Sequence, residues 1–424
     1  MQYLTTWLKK QIWIIAVLCP IFLSAQNLTM QQVYDSARLH YPAIRQKKLV
    51  QQTASLTIDN LSKGNLPQVS INGQASYQTD VTSISIPVPG INIEPLSKDQ
   101  YKITADVSQV LYDGGLIKQQ QQLQNLNAAV EGQKVEVELY QLKQRINQIY
   151  VSILYIDEQL KQVELIKDDL NTGIKKVQAQ VDNGVALRSN VDVLKAELLK
   201  NEQHKIELAA SRKGMIDVLG LFMQHSLPAS VVLQKPLAET TMSEDITRPE
   251  LDLYAKQNLL LQQQNELINA KNLPKASAFV QGGYGRPGLN LLKNSFEPYG
   301  IGGLRVNWSL GGLYTAKKEK QLVEINRQSV DVQKETFLLN TQTQVKQQQS
   351  EISKLQQLIS SDREIIDLRV SVKTAANAQL ENGVITANDY LREVNAEDQA
   401  RQLLITHQLQ LLQAQVNLQL ITGK

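Results

Sequence analysis

The chain has 424 residues, a net charge of +3, 42% hydrophobic, 20% charged and only 5% aromatic residues. That length suits two or three ordinary domains or one elongated body, and the scarcity of aromatics beside many Gln, Leu and Val favours long helices over a compact core. The near balance of charge gives no electrostatic footprint for nucleic acid. The first 25 residues read as an export signal: Lys9 and Lys10 are a basic start, Ile12 to Leu23 is a short apolar run, and Leu23-Ser24-Ala25 ends in a small residue before Gln26. The alternative is a retained anchor. Cys19 invites a lipoprotein reading, but Leu18 before it fits a lipidation site poorly. It is the single cysteine, so the exported chain would lack thiol chemistry and be nearly neutral. No later segment carries 18 consecutive apolar residues, so any membrane crossing after export falls to β-strands.

Residues 26–224 form a first repeat. A helix over Pro42 to Asn60 is followed by a β-hairpin over 66–112, in which Gln68 to Tyr77 and Tyr101 to Ser108 alternate apolar and polar residues strictly. A proline-free helix over 116–181 comes next, roughly 100 Å long at about 1.5 Å per residue. Leu142, Ile146, Ile149, Ile153, Ile156, Leu160 and Val163 give it a coiled-coil seam; the phase slips near Ile166, and Leu170, Ile174, Val177 and Val181 continue it. Asn183-Gly184 then stops the helix, since glycine tolerates the left-handed backbone, and a return helix spans 188–222. Residues 225–250, with Pro228, Pro236 and Pro249, read as an irregular connector along the outside of the helices.

Residues 251–424 repeat the order, about 200 residues on. A helix spans Arg248 to Asn272 and a hairpin 274–310. Its second strand changes phase at Gly302-Gly303, which predicts a bulge or kink. A helix over 315–380 has a seam of Val345, Ile352, Leu355, Ile359 and Ile366. Asn382-Gly383 turns it into a return helix over 388–421. The return helices are half as long as the helices they follow, and the short helices can fill the remaining length by end-to-end stacking. Each half then holds two parallel rods.

The strands have the length and two-faced pattern of bilayer-crossing β-strands. Aromatic residues suited to the membrane–water interface mark their ends: Tyr77, Tyr101, Tyr284 and Tyr299 near one rim, Tyr112 and Trp308 near the other. A soluble sheet lying on helices is the alternative for any single strand. Four strands cannot close a barrel in lipid, so copies of the chain would pool them; three copies leave a wider lumen than two. The fold class expected is mainly α with a transmembrane β segment.

Several short stretches resemble the outer membrane factor family of TolC-like ducts. Leu28-Thr29-Met30-Gln31-Gln32-Val33 through Ala37, then Tyr41-Pro42, is similar to the family's first helix, with Tyr replacing its usual Asn. Leu111-Tyr112-Asp113-Gly114-Gly115 resembles its strand exit. Asn183-Gly184 leading to Asp192-Val193-Leu194, and Asn382-Gly383 leading to Asp389-Tyr390-Leu391, resemble its helix-turn tips. The resemblance implies a homotrimer with a 12-stranded barrel in outer membrane lipid, a helical tunnel through the periplasm, and tips that meet a periplasmic adaptor and an inner-membrane pump. It also implies an aspartate ring that closes the tips and favours cations. Asp389 matches one such position; Arg392 stands where a second aspartate is expected, and Asn190 occupies the corresponding place after Gly184, so the ring is only partly present.

His40, His204, His225 and His407 lack metal-ligand spacing, and no phosphate loop, nucleophile elbow or paired-carboxylate constellation appears. The expectation is therefore a passive duct without cofactors, not an enzyme, exporting small molecules or proteins within a tripartite efflux pump or type I secretion system. The rival is an exported coiled-coil stalk or adhesin.

Overall fold

The computed structural model describes residues 27–83, 95–236 and 245–423. The export signal over 1–25, with Cys19, lies outside them, as do 84–94 of the first hairpin and 237–244 of the connector. The elements in order are α1 (Met30–His40), α2 (Pro42–Ser62), β1 (Gln68–Tyr77), β2 (Asp99–Tyr112), α3 (Leu116–Asp182), α4 (Arg188–Met223), α5 (Pro249–Lys271), β3 (Lys275–Arg286), β4 (Glu297–Asn307), α6 (Gly312–Glu381) and α7 (Ala387–Thr422).

Local chemistry sets the boundaries. Thr29 and Gln32 form a reciprocal capping box at α1. Prolines 42 and 249 open α2 and α5, where a missing N–H costs nothing. The Asp113 carboxylate accepts from the N–H groups of Gly115 (2.8 Å) and Ile117 (2.7 Å) and so caps α3. Gly114 and Gly115, at φ +73° and +77°, reverse the chain between β2 and α3.

The chain divides into two compact units. One holds the described residues of Met1–Tyr41, Leu139–Ile246 and Gln342–Lys424; the other holds those of Pro42–Glu138 and Thr247–Thr341.

In the first unit the α3 seam is buried throughout. Leu142, Ile146, Ile153, Ile156, Val163, Leu170 and Val177 are inaccessible, and Ile149, Leu160, Ile174 and Val181 pack against the same clusters. The partners are Met30, Val33 and Ala37 of α1, Ile216, Leu219 and Met223 of α4, and Leu409, Leu412 and Val416 of α7. Val345, Ile352, Leu355, Ile359 and Ile366 of α6 are buried likewise. Each such side chain contributes roughly 1.5–3 kcal/mol of transfer free energy. The connector joins this core through a parallel bridge between Leu28 and Leu233. The fully buried Tyr150 hydroxyl secures it, 2.7 Å from the Leu28 carbonyl oxygen and 2.6 Å from that of Gln234.

In the second unit glutamines and lysines link the helices. Gln263 of α5 donates to the Gln119 side chain of α3 (2.6 Å), Gln133 of α3 to the Pro249 carbonyl (2.9 Å), and Lys47 of α2 pairs with Glu136 (2.6 Å). The four strands form one antiparallel sheet in the order β1-β2-β3-β4. Gln68↔Ser108 through Tyr77↔Asp99 pair β1 with β2 without interruption.

The expected irregularity at Gly302-Gly303 is absent. β3 and β4 pair continuously through Phe279↔Gly303 and Val280↔Gly302. The apolar residues change phase there because the strand places Ile301 on one face and Leu304 on the other, with two glycines between that carry no side chain. The register shift lies instead between Val110 and Tyr112 of β2.

Candidate functional site: the two-faced sheet and the helix turns

Paired residues of an antiparallel ladder project to the same face, so the registers sort the sheet's side chains. One face carries Val69, Ile71, Ile103, Ala105, Val107, Val280, Tyr284, Leu304 and Val306. This apolar face crosses all four strands and is uncovered: Ile71 is 74% exposed, Val280 62% and Leu304 76%. The other face is polar. Its centre is the Asp106 carboxylate, which accepts from Asn72 (2.9 Å), Thr104 (2.9 Å) and Gln281. Arg305 lies on the same face over the Phe279 ring, 4.6 Å from its centroid. An exposed apolar surface of this extent is foreign to a water-facing sheet and suits contact with hydrocarbon.

Tyr77, Tyr101 and Tyr284 stand on the apolar face at the strand ends remote from the helices, all exposed. Tyr112 and Trp308 stand at the helix-proximal ends, and the Trp308 indole N–H donates to the Asn272 carbonyl (3.0 Å). The bulge explains Tyr112: it pairs with Ala276 only because the shift after Val110 restores it to the apolar face. Tyr299 lies at the same remote end as Tyr284 but on the other face. It pairs with Gly283 on the polar face, and its ring lies over that glycine, where an added Cβ would sit 2.3 Å from the ring. Phe296, unmarked in the sequence, joins the remote rim as well, with ring centroids 5.8 Å from Tyr284 and 6.4 Å from Tyr101. It sits outside any alternating run, so no periodicity betrays it.

The helix turns are built alike. After α3, the Gly184 N–H bonds the Val181 carbonyl (3.0 Å) and the Val185 N–H bonds that of Gln180 (2.9 Å). After α6, Gly383 bonds Leu380 (3.1 Å) and Val384 bonds Gln379 (2.8 Å). Both are Schellman closures, with φ +74° at Gly184 and +68° at Gly383. The Asn183 and Asn382 amides donate back to the carbonyls of Ala179 (2.9 Å) and Ala378 (2.8 Å). Val185, Leu187 and Val384 are exposed at these turns.

The helices that follow start differently. Thr386 and Asp389 form a capping box on α7: Thr386 Oγ1 accepts from the Asp389 N–H (3.3 Å), and the Asp389 carboxylate accepts from the Thr386 hydroxyl (2.8 Å) and N–H (3.2 Å). Those bonds, the hydroxyl's first, hold the Asp389 carboxyl below its usual range, and Arg392 adds to the effect at 3.9 Å. Arg392 is largely exposed and also meets Glu393 (3.2 Å). α4 has no side-chain cap; Asn190 contributes only a backbone N–H to the Leu187 carbonyl (3.0 Å). Thus Asp389 is tied into its own helix start and Asn190 has no comparable anchor.

Behind the turns, Leu170, Val177, Leu194, Leu380, Tyr390 and Val394 form a common cluster. Lys373 of α6 bridges Asp169 of α3 (2.8 Å) and the nearly inaccessible Glu397 of α7 (2.5 Å), and Arg401 also binds Glu397 (2.6 Å). Burial alone would raise the Glu397 pKa, but the bonds from Lys373 and Arg401 outweigh it and hold the carboxyl low. Lys176 adds a link to Glu381 (3.1 Å). Arg401 and Glu397 stand four residues apart on one helix, a spacing visible in sequence; the Lys373 and Lys176 links are not visible there, because they depend on how separate helices align.

Among the described residues, no group of three His, Cys, Asp or Glu is placed to hold a metal ion, and no helix is long and apolar enough to cross a membrane.

Residues 33–214 match the model of a family described as outer membrane efflux protein. Solved structures share the fold over nearly the whole chain. OprN, an outer-membrane channel, superposes with a TM-score of 0.68 at 12% identity, over 93% of this chain and 89% of that one. VceC, an outer membrane protein of Vibrio cholerae, gives 0.66 at 14% identity, over 93% and 96%. The MtrE outer membrane channel of Neisseria gonorrhoeae, in its open state, gives 0.64 at 14% identity, over 93% and 88%. No curated protein sequence matches the chain.

Proposed function

From the fold of an outer membrane channel and an efflux-family match over residues 33–214, we propose that three copies of this chain form a passive export duct. Each copy contributes its four strands to a twelve-stranded barrel in the outer membrane. The long helices continue the duct into the periplasm, and the two halves of the chain are copies of one unit, each supplying a hairpin, a long helix and a return helix.

The observation that carries this reading is the sheet: an uncovered apolar face together with two edges, β1 and β4, that no strand among the described residues pairs. In hydrocarbon every backbone N–H and C=O needs a protein partner, so those edges call for further copies. Four strands per copy make twelve from three, wide enough to leave an aqueous lumen rather than a filled core. The polar face, with Asp106, Lys102 and Arg305, then lines the lumen.

The turns at Asn183-Gly184 and Asn382-Gly383 form the periplasmic tips. Their exposed Val185, Leu187 and Val384 offer a docking surface for a periplasmic adaptor, which couples the duct to an inner-membrane pump of an efflux or type I secretion system. The pump supplies the energy. Asp389 closes the tip only weakly toward anions, because Arg392 stands beside it and Thr386 occupies its carboxylate.

Purification in detergent with measurement of oligomeric mass and single-channel conductance tests the proposal. A trimer that conducts supports it. A monomer without conductance, or release from outer membranes by carbonate washing, overturns it in favour of a stalk. Deleting Val69 to Val107 is expected to abolish membrane insertion.

A further inference from the structure

Among the charged residues of the four strands, Asp99 and Arg286 bond each other at the remote ends of β2 and β3. All the others project from the polar face, by the register that pairs Lys102 with Gly285, Asp106 with Gln281, Arg305 with Ser277, Lys275 with Asn307 and Glu297 with Gly285.

The two signs are treated differently there. The carboxylates are engaged: Glu297 lies 3.8 Å from Lys293 and accepts from the Ser295 hydroxyl (3.0 Å). Asp106 accepts from Asn72, Thr104 and Gln281, and Arg305 attracts it only at longer range. The cations are left over. Lys102, Lys275 and Arg305 are exposed, and among the described residues no ion pair joins any of them to a carboxylate. Arg305 rests over the Phe279 ring instead.

Their placement decides which sign prevails along the face. In the register, Lys102 lies on one side of the Asp106 level and Arg305 on the other, each about 13 Å away at about 3.3 Å per residue. In 0.1 M salt a charge is screened over about 10 Å, so Asp106 offsets Lys102 little and Arg305 only in part. Lys275, two residues beyond Ser277 toward the helices, adds a second cation at the Arg305 end. Lys102 opens onto a cleft of about 360 Å³ that it shares with Gln74, Ser76, Gln100 and Tyr299, whose amide and hydroxyl groups can also donate to an anion.

We propose that the strand segment of the duct is an anion filter. Lys102 at its remote level, and Lys275 with Arg305 at its helix-side level, admit anionic solutes such as carboxylates and phosphates and hold back cations. This rests on the duct proposed above, in which three copies turn these positions into two rings of cations around one lumen. Rings of Lys and Arg favour anions in pores, and low-dielectric walls focus their field on the passing ion.

Reversal potentials of the purified full-length protein in planar bilayers, under a KCl gradient, test this. Replacing all three cations (Lys102→Gln, Lys275→Gln and Arg305→Gln) is expected to lower the chloride-to-potassium permeability ratio by about threefold or more. The change should shrink between 0.1 M and 1 M KCl, as the screening length falls from about 10 Å to about 3 Å. The unaltered protein supplies a second measurement that needs no variant to fold: tripolyphosphate, added on the strand side, is expected to block the current at a concentration roughly tenfold lower than spermine does. A conducting triple variant with an unchanged ratio, or spermine as the better blocker, would overturn the filter and leave the duct standing. An unaltered protein that conducts nothing would overturn the duct and the filter with it.

Discussion

Ile71 and Ser70 are neighbours in β1 on opposite faces of the sheet, and that makes them a sharp pair for testing which face meets lipid. Ile71 pairs with Ala105 on the uncovered apolar face and is 74% exposed; Ser70 pairs with Asp106 on the polar face. Ten residues at about 3.3 Å each, tilted by roughly 40°, span about 25 Å of bilayer. Ile71, the fourth residue, then lies about a third of the way across. An arginine costs roughly 2–4 kcal/mol at the midplane and about 0–1 at the edge, so Ile71→Arg is expected to cost about 2 kcal/mol per copy. If three copies assemble as proposed, the loss is about 6 kcal/mol per assembly, within the range of the whole stability of a marginally stable fold, about 5–15 kcal/mol. Ser70→Arg, opposite the Asp106 carboxylate on the polar face, should cost under about 0.5 kcal/mol. Urea-dependent unfolding from liposomes measures both. Equal destabilisation of the two variants, or a larger loss for Ser70→Arg, would refute the assignment of faces.

Gly184→Ala and Gly383→Ala, each forcing a side chain into left-handed backbone with open space around it, should each cost about 1–2 kcal/mol in thermal melts. Gly214→Ala, inside α4 with equally open space but helical backbone, should stabilise by about 1 kcal/mol. Thr386→Ala removes the α7 capping box and should cost about 1 kcal/mol, read as faster proteolysis at the turn. The carboxyls of Asp389 and Glu397 titrate below their unfolded range in the folded chain. Their contribution is fully present above about pH 4–4.5 and is lost as pH falls through the lower folded values, so these two groups should add no pH dependence from about pH 5 to 8 and weaken the turn only in acid. Tyr150→Phe leaves the Leu28 and Gln234 carbonyls without their shared donor and should cost about 1–3 kcal/mol, with protease sensitivity appearing near residue 234.

Periodicity made the seams and strands legible. The 3–4 spacing of Leu142 through Val181 marked residues that are now buried, and strict alternation placed β1 at Gln68–Tyr77, because both patterns record which face leaves water. Where a side chain is missing, periodicity loses its phase. Gly302 and Gly303 mimicked a bulge, whereas the real one in β2 follows Val110 amid residues whose alternation looks intact. Tyr299 stands at the rim end where the sequence put it, but its face depends on pairing with Gly283, which only the register reveals. The Thr386-to-Asp389 spacing carries a capping signature, so that role of Asp389 was readable. The Lys373 bridge was not, since it ties α6 both to Asp169, 204 residues earlier, and to Glu397 on the next helix.

The unpaired edges of β1 and β4 bear on how such a molecule matures. A lone, newly exported copy would carry a greasy sheet through water with two strands ready to zip onto any neighbour, the geometry that elsewhere seeds fibrils. If several copies close one barrel as proposed, folding and recruitment of sister chains become a single event whose rate climbs steeply with copy number. Scarce chains would face degradation before completion, which makes abundance itself a checkpoint on construction.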